Sequence, residues 1–316
     1  MALDIGNVID AHDRIRPYIH RTPVLQSSQL NAMFGCKIFF KADNLQKVGA
    51  FKARGACNAV FSIDKNLLVK GVITHSSGNH GAALAWAAAL RGTKCTVVMP
   101  ENAPQAKKDA VLSYGASVVF CEANMVAREA AVASLIKHQG SHLVHPYDED
   151  RIIAGQGTAA LEIFSQIDQP VDIILAPIGG GGLLSGTAIV AKSDAVDYSP
   201  MVIGTEPESA KDAWLGFKSG KRVSQFTPST IADGLRATVG VRNFAIITEY
   251  VDDILLTSEV RIIEAMKLIW SRLKIIVEPS AAVPLAAIMD QPELFKGRRV
   301  AIILTGGNLD LDHLPW

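Results

Sequence analysis

Short apolar runs alternate with longer helical segments along almost the whole chain. The runs have the length of buried strands, and the segments between them are rich in alanine or repeat their apolar residues with helical periodicity. Alternation of this kind predicts an α/β fold with mostly parallel sheets flanked by helices. The strand-like runs are residues 38–40, 72–74, 95–99, 117–120, 173–176, 201–204 and 300–304, and the clearest helical segments are residues 82–90, 123–137 and 260–273.

The balance of charge argues against several classes of protein. Lys and Arg together number 31, as do Asp and Glu, so the charge gives no indication of binding to nucleic acid or to an anionic membrane. The uncharged stretch between Asp172 and Lys192 is interrupted by Pro177 and four glycines. These residues disfavour a long helix, so we do not expect a membrane-spanning segment.

The cysteines and the N-terminus predict a cytoplasmic protein. The four cysteines are scattered and form no CxxC pair, so we expect no zinc cage, and their use is typical of a reducing compartment. The first 13 residues include three aspartates and lack the apolar core of a signal peptide.

Three loops follow predicted strands, at the ends where parallel α/β sheets bind ligands. Residues 76–81 combine hydroxyl and amide side chains with the start of an alanine-rich helix. This suits a carboxylate or a phosphate, although the same residues also make an ordinary helix N-cap. Residues 305–308 place a hydroxyl at another strand end, where, taken alone, a plain turn is the better interpretation.

The third of these loops contains four successive glycines, residues 179–182. Glycines let the backbone close around an anion at the start of the following helix. The run matches neither the GxGxxG dinucleotide fingerprint nor a Walker loop, so a compact phosphate monoester is the better fit. A tight strand–helix turn is the alternative.

Lys52 lies between Phe51 and Ala53 in an apolar setting. Partial desolvation there would lower the pKa of the amine and make it nucleophilic. The alternative is an ordinary surface lysine.

Taken in order along the chain, these motifs resemble those of fold-type II pyridoxal 5'-phosphate (PLP) enzymes, in the branch of the serine/threonine dehydratases, or ammonia-lyases, and the serine racemases. The matching residues are 51–56, 76–80, 179–183 and 305–308, so the resemblance covers nearly the whole chain. It implies a tryptophan synthase β-like fold with two interleaved domains, each with a mostly parallel sheet. The large PLP-binding domain would comprise residues 1–70 and 147–316, and the small domain residues 71–146.

The resemblance also implies a role for each matching residue. Lys52 forms a Schiff base with PLP and acts as a general base, and Ser77 stands on the opposite face of the cofactor, where racemisation needs a second proton donor. The cofactor-binding residues are Lys52, Phe51, Asn79 at the phenolic oxygen, Thr305 at the pyridine nitrogen, and Gly179, Gly180, Gly181, Gly182 and Leu183 around the phosphate. The residues that bind the substrate are Ser76, Ser77, Asn79, His80 and Gln156.

A metal site is implied by the same resemblance. Glu206, Ala210 and Asp212 match a segment that holds Mg²⁺ or Ca²⁺ in racemase-like members, and Mn²⁺ is a further candidate. Two carboxylates and the Ala210 carbonyl oxygen are hard ligands that suit such a cation. A solvated acidic turn is the alternative interpretation.

The predicted function is PLP-dependent α,β-elimination from a small β-hydroxy amino acid, L-serine or L-threonine, to a keto acid and ammonia, with serine racemase activity, in a homodimer. Two alternatives stay open. A 3-hydroxyaspartate dehydratase would need a cationic or N–H-rich pocket for its second carboxylate, which the sequence does not locate. A catalytically silent binding protein for amino acids or PLP is opposed by the intact Lys52, Ser77 and glycine run.

Overall fold

The computed structural model describes residues 3–76, 78–103 and 105–316, and its strands form two mostly parallel sheets. Every strand-like run predicted from the sequence lies within a strand, which confirms the α/β class. The strands are β1 (Val24–Leu25), β2 (Lys37–Ala42), β3 (Val72–His75), β4 (Cys95–Pro100), β5 (Ser117–Cys121), β6 (His142–Leu143), β7 (Ile173–Pro177), β8 (Met201–Pro207), β9 (Asp253–Thr257) and β10 (Arg299–Leu304).

The helices fill the segments between the strands. They are α1 (Ile5–Ile15), α2 (Ser28–Phe34), α3 (Lys52–Ser62), α4 (Lys65–Leu68), α5 (Asn79–Arg91), α6 (Gln105–Ser113), α7 (Met125–Gln139), α8 (Asp150–Gln166), α9 (Gly182–Ala191), α10 (Asp212–Ser219), α11 (Val241–Tyr250), α12 (Glu259–Leu273), α13 (Pro279–Asp290) and α14 (Pro292–Phe295). Within the described residues, no helix is both long enough and apolar enough to cross a bilayer.

The larger sheet has the strand order β1-β2-β10-β7-β8-β9, and only β1 runs antiparallel to its neighbour. Alternate residues of β10 enter two different cores. Ala301 and Ile303 pack with α8 and α9, whereas Val300 and Ile302 pack with α12 and α13. Because helices cover both faces, the central strands are continuously apolar.

The smaller sheet has the order β5-β4-β3-β6 with all strands parallel. Its core includes residues of α5 and also Ala56 and Val60 of α3, so α3 packs between α8 and the smaller sheet. We propose residues 1–70 with 147–316, and residues 71–146, as the two interleaved domains, with α3 as the helix that connects their cores.

Candidate active site

Lys52 is the first residue of α3, and its amine lines a cavity between the two sheets. The Nζ atom donates a hydrogen bond to the carbonyl oxygen of Pro146 at 2.8 Å and lies 5.2 Å from the centre of the Phe51 ring. Burial disfavours the charged amine and lowers the pKa of Lys52 to about 8. The amine is therefore partly uncharged near neutral pH, and the uncharged form is the nucleophile.

The start of α3 is tied to the end of β10. The Phe51 N–H donates to the carbonyl oxygen of Thr305 at 2.9 Å, and Ala50 pairs with Gly306 in an isolated β-bridge. These contacts bring the lysine motif next to the loop that follows β10, two segments that lie far apart in the sequence.

A buried group of four charges holds the first turns of α3. Arg54 donates from Nε to Asp43 at 2.7 Å and from Nη1 to Glu162 at 2.8 Å, and Lys41 donates to Glu162 at 2.6 Å. These side chains are at most 2% exposed. Burial alone would raise the pKa of Asp43 and of Glu162, but the Arg54 guanidinium holds both below their ordinary values. Each buried charge therefore has a partner, as burial of charge requires.

The glycine loop between β7 and α9 is shaped by two close contacts. Gly181 has φ +94°, in the left-handed region that favours glycine, and it precedes the first turn of α9. A Cβ atom on Gly180 would lie 2.1 Å from the ring of Tyr147. The loop therefore needs glycine at both positions, and it leaves the N–H groups of α9 exposed to a bound anion.

Asn243 holds the glycine loop from outside the cavity. Its Nδ2 donates to the carbonyl oxygen of Gly180 at 2.9 Å and to that of Tyr147 at 3.0 Å. Asp148 accepts hydrogen bonds from the N–H groups of Val241 and Arg242, each at 3.0 Å, and so caps α11, which carries Asn243. Sequence reasoning missed these residues; the hint was that α11 begins after Gly240, which has no side chain to cap it.

Asn79 is the first residue of α5, and its side-chain amide is hydrogen-bonded through both its nitrogen and its oxygen. Its Nδ2 donates to both carboxylate oxygens of Glu278, at 2.9 and 3.1 Å, and its Oδ1 accepts a hydrogen bond from Asn308 at 2.9 Å. Thr305, which directly follows β10, is 4% exposed and lines the same cavity. Glu278 was also missed, because nothing in its local sequence marks it.

These elements surround a cavity of about 230 Å³. Most of the predicted cofactor and substrate residues meet there, in agreement with the convergence of strand ends. The ones that line it are Phe51, Lys52, Ser76, Asn79, His80, Gly179, Gly180, Gly181, Gly182, Leu183 and Thr305.

A lysine with a lowered pKa and an anion cradle in one cavity agree with the comparisons with known proteins. The family described as "Pyridoxal-phosphate dependent enzyme" matches residues 15–306. The chain belongs to this family of PLP-dependent enzymes.

Relatives of known activity cover the chain almost completely. β-Hydroxyaspartate dehydratase of Paracoccus denitrificans is 48% identical over 310 residues, 98% of each chain. Serine racemase of Dictyostelium discoideum is 49% identical over 317 residues, 98% of this chain and 96% of the relative. The crystal structure of threonine deaminase from T.th. has a TM-score of 0.91 at 40% identity and covers 98% of this chain and 99% of that one.

The residues of the cavity fit the cofactor of this PLP-dependent family. PLP needs an amine for its aldehyde and a cradle for its phosphate. Lys52 would supply the amine, and the loop in which a Cβ on Gly180 would meet Tyr147 would hold the phosphate at the start of α9. The polar side chains of Asn79 and Thr305 are available to the ring of the cofactor.

One of the predicted substrate residues among those described, Gln156, does not line the cavity. The structure places Gln156 away from it: the side chain is fully buried, and its Oε1 accepts a hydrogen bond from the N–H of Gly55 at 3.2 Å. The cause is the close approach of α3 and α8, where a Cβ on Gly155 would lie 2.6 Å from the Cα of Gly55. The predicted catalytic residue Ser77 lies outside the described residues.

His80 lines the cavity as an uncharged imidazole. The residue is 2% exposed, and burial, followed by the charge of Lys52, lowers its pKa well below the ordinary value. In the described part of the chain neither ring nitrogen has a hydrogen-bond partner. The backbone of Val144 acts on its pKa in the opposite direction, so the ring lies close to that backbone as well as at the cavity wall.

Three cationic side chains also reach the cavity wall: Lys107, Arg128 and Arg236. Lys107 pairs with Asp233, and Arg236 donates to the carbonyl oxygen of Thr230 at 2.7 Å. Among the described residues, the buried Nε of Arg128 has no hydrogen-bond partner. Arg128 is therefore a cavity-lining cation with an unused buried donor for an anionic group.

The predicted metal segment brings two buried carboxylates together at the end of β8. Glu206 accepts from the N–H of Trp214 at 2.8 Å, and Asp212 accepts from the N–H of Val239 at 2.9 Å. Burial, and then the charge of Asp212, raises the pKa of Glu206 well above its ordinary value, and burial raises the pKa of Asp212 to about 6. Ala210 is fully buried between them in the sequence. Two carboxylates that disfavour each other's charge suit a hard cation.

Proposed function

We propose that this chain catalyses the PLP-dependent elimination of water from L-serine or L-threonine and also racemises serine. The products of elimination are pyruvate or 2-oxobutyrate, together with ammonia. The observation that carries the proposal is the buried Lys52 amine, with a pKa of about 8, in one cavity with the glycine cradle. The relatives named serine racemase and threonine deaminase support this substrate class.

The chain's contribution to binding follows from the cavity wall. When bound, PLP supplies the electron sink that stabilises negative charge at the α-carbon of an amino acid. We assign its phosphate to the glycine run and Leu183, its ring to Phe51, Asn79 and Thr305, and the substrate carboxylate to Ser76 and His80.

Lys52 is the group that moves the α-proton. An amine with a pKa of about 8 can accept a proton near neutral pH and release it again. The carbonyl oxygen of Pro146, which accepts a hydrogen bond from this amine at 2.8 Å, directs Nζ within the cavity. The water lost from the substrate is regained when the released 2-imino acid hydrolyses, so the net products are a keto acid and ammonia.

Racemisation needs a second proton-transfer group on the other face, and we assign it to Ser77. The assignment rests on the resemblance of the loop at residues 76–80. A Ser77→Ala protein should lose serine racemisation and keep elimination from L-serine. Racemisation at the wild-type rate in that variant would remove Ser77 from the mechanism.

We further assign Mg²⁺, Ca²⁺ or Mn²⁺ to Glu206, Ala210 and Asp212, and we propose a cytoplasmic homodimer. The raised pKa values of the two carboxylates support the metal site. The dimer rests on the resemblance, and light scattering of the purified protein tests it directly.

The decisive experiment is borohydride reduction followed by peptide mapping. The pyridoxyl group should map to Lys52 and should be absent from a Lys52→Ala protein. Lys47→Ala is the matched control, since Lys47 is a neighbouring lysine that does not line the cavity. A label on another lysine, or serine turnover by Lys52→Ala, contradicts the proposal.

The cationic side chains that line the cavity favour a second candidate function, that of a 3-hydroxyaspartate dehydratase. Its substrate carries a second carboxylate, and Arg128 offers a buried Nε without a partner among the described residues. The relative named β-hydroxyaspartate dehydratase supports this candidate. A guanidinium is well suited to a carboxylate, because it donates through several N–H groups in one plane.

Product identity and one substitution separate the two candidates. Oxaloacetate from 3-hydroxyaspartate, at a higher kcat/KM than pyruvate from serine, identifies the second. In that case Arg128→Met should lower kcat/KM for hydroxyaspartate by about a hundredfold, as expected for loss of a charged hydrogen bond, and leave serine nearly unchanged. An equal effect on both substrates would contradict a role for Arg128 in the second carboxylate site.

A further inference from the structure

Glu278 is a buried carboxylate in the wall of the PLP cavity, and the proposed reaction gives it no part. It is 4% exposed and directly precedes α13, and its own N–H donates to the carbonyl oxygen of Gly306 at 3.0 Å. Burying a carboxylate is costly, so a polar group placed there needs a compensating contact. The hydrogen bonds that the Glu278 carboxylate makes with Asn79 indicate what this residue does.

Both carboxylate oxygens of Glu278 accept from one nitrogen, Nδ2 of Asn79. On the other side of the same amide, Asn308 donates to Oδ1 of Asn79 at 2.9 Å and to the carbonyl oxygen of Val48 at 2.8 Å. Asn308 thereby uses both hydrogens of its own amide. If the Asn79 amide rotated by half a turn, its N–H groups would face the Asn308 amide donor and its oxygen would face the Glu278 carboxylate. The hydrogen bonds therefore fix one orientation of this amide.

The contact between Glu278 and Asn79 also depends on a glycine. A Cβ on Gly306 would lie 2.5 Å from Oε1 of Glu278 and 3.1 Å from Nδ2 of Asn79. A side chain at that position would separate the carboxylate from the amide. Three segments, the start of α5, the start of α13 and the loop after β10, therefore combine to fix one amide at the cavity wall.

We propose that Glu278 is a positioning residue that fixes the Asn79 amide so that its remaining N–H is directed at bound PLP. One hydrogen of Nδ2 is taken by the carboxylate, and the second remains for the cofactor. The role concerns the cofactor of the family and does not depend on which amino acid is the substrate, so it can be tested apart from the proposed reaction.

The hydrogen bonds between Glu278 and Asn79 depend on pH, because burial and nearby charges shift the pKa of Glu278. Burial, and then the negative charge of Asp233, raises the pKa of Glu278 to about 7, while Asn79, Lys107 of α6 and the backbone of Asn308 act in the opposite direction. A carboxyl group accepts with both oxygens only when it is ionised. Both oxygens of Glu278 therefore accept from Asn79 above about pH 7, and these hydrogen bonds weaken as the pH falls through that value.

The test measures the bound cofactor in the absence of substrate. The proteins are the wild type, Glu278→Ala, Glu278→Gln, Asn308→Ala and, as control, Glu264→Gln, which removes an exposed carboxylate of α12 paired with Arg261. For each, the dissociation constant of PLP is measured on the apo-protein, and the visible absorbance of the holo-protein is titrated with pH.

We expect Glu278→Ala and Asn308→Ala to bind PLP about tenfold more weakly, which corresponds to the loss of about one hydrogen bond. Glu278→Gln keeps an amide oxygen that accepts from Asn79, so its affinity should stay closer to the wild type, while the absorbance transition near pH 7 disappears. Glu264→Gln should behave as the wild type. Wild-type affinity in Glu278→Ala, or a transition that persists in Glu278→Gln, overturns the proposal. Loss of the borohydride label on Lys52 would instead overturn the proposed reaction.

Discussion

The amine of Lys52 donates a hydrogen bond to the carbonyl oxygen of Pro146 across 94 positions of the chain. Pro146 directly precedes Tyr147, whose ring covers Gly180. The segment that contains both residues connects β6 to α8, where the chain returns from the smaller sheet to the larger one. One short crossing segment therefore contacts both Lys52 and the glycine loop at Gly180.

The pKa of Lys52 predicts how the apo-protein captures PLP. Only the uncharged amine attacks the aldehyde, and burial lowers the pKa of Lys52 to about 8. The capture rate should therefore rise about tenfold per pH unit below this value and level off above it. Stopped-flow absorbance measures the rate, with a simple alkylamine of ordinary pKa as the reference. A rate that follows the alkylamine instead would mean that Lys52 is not desolvated.

Gly180→Ala should disturb the glycine loop, to which we assign the phosphate of PLP. The added Cβ would lie 2.1 Å from the Tyr147 ring, so the loop or the ring must move. We expect PLP affinity to fall by at least about tenfold, as for other cases of overpacking. Adding Tyr147→Ala removes the obstacle and should restore part of the affinity, and a double-mutant cycle measures the coupling. Additive effects of the two substitutions would show that the ring does not shape the loop.

Asn243→Ala should destabilise the glycine loop, because Asn243 contacts this loop from the side away from the cavity. The residue is fully buried, and the substitution leaves the carbonyl oxygens of Gly180 and Tyr147 without its two hydrogen bonds. We expect a loss of about 1–3 kcal/mol in the free energy of unfolding, measured in urea, together with weaker PLP binding. Asn66→Ala, on the exposed side of α4, is the control and should change neither quantity. Full stability in Asn243→Ala would contradict the assigned role.

Metal binding should stabilise the protein in a pH-dependent way. The raised pKa values of Glu206 and Asp212 mean that ionising them costs stability as the pH rises, through about 6 for Asp212. A bound cation offsets this cost, so Mg²⁺ should raise Tm more at pH values above about 6 than below it. Calorimetry with and without EDTA measures the shift.

The neighbouring acidic residue provides the control for that experiment. Glu206→Gln should lose the Mg²⁺-dependent gain in Tm, whereas Glu208→Gln, which alters an exposed carboxylate of the same segment, should keep it. Equal responses of the two variants would place the cation elsewhere.

Prediction from the sequence worked where the signal is local. The run of residues 173–176 lies in β7, and the glycines that follow it form the loop before α9. The strands β1 and β6 have two residues each, too few to show a periodic pattern, and neither was predicted. The position of Gln156 could not be judged either, because its burial results from the approach of α3 to α8 at Gly55 and Gly155.

The amino-acid sequence by itself determined the α/β class and the three loops at strand ends, since hydrophobic periodicity and loop composition act over a few neighbouring residues. The reactive role of Lys52 was implied by the resemblance of its motif and stays a prediction. The tertiary structure alone decided which side chains surround these loops and Lys52. Lys52 donates a hydrogen bond to Pro146, Asn243 donates one to Gly180 across 63 positions, and Asn79 donates one to Glu278 across 199. Such contacts depend on how helices and sheets pack against one another, and no short segment of the chain encodes that packing.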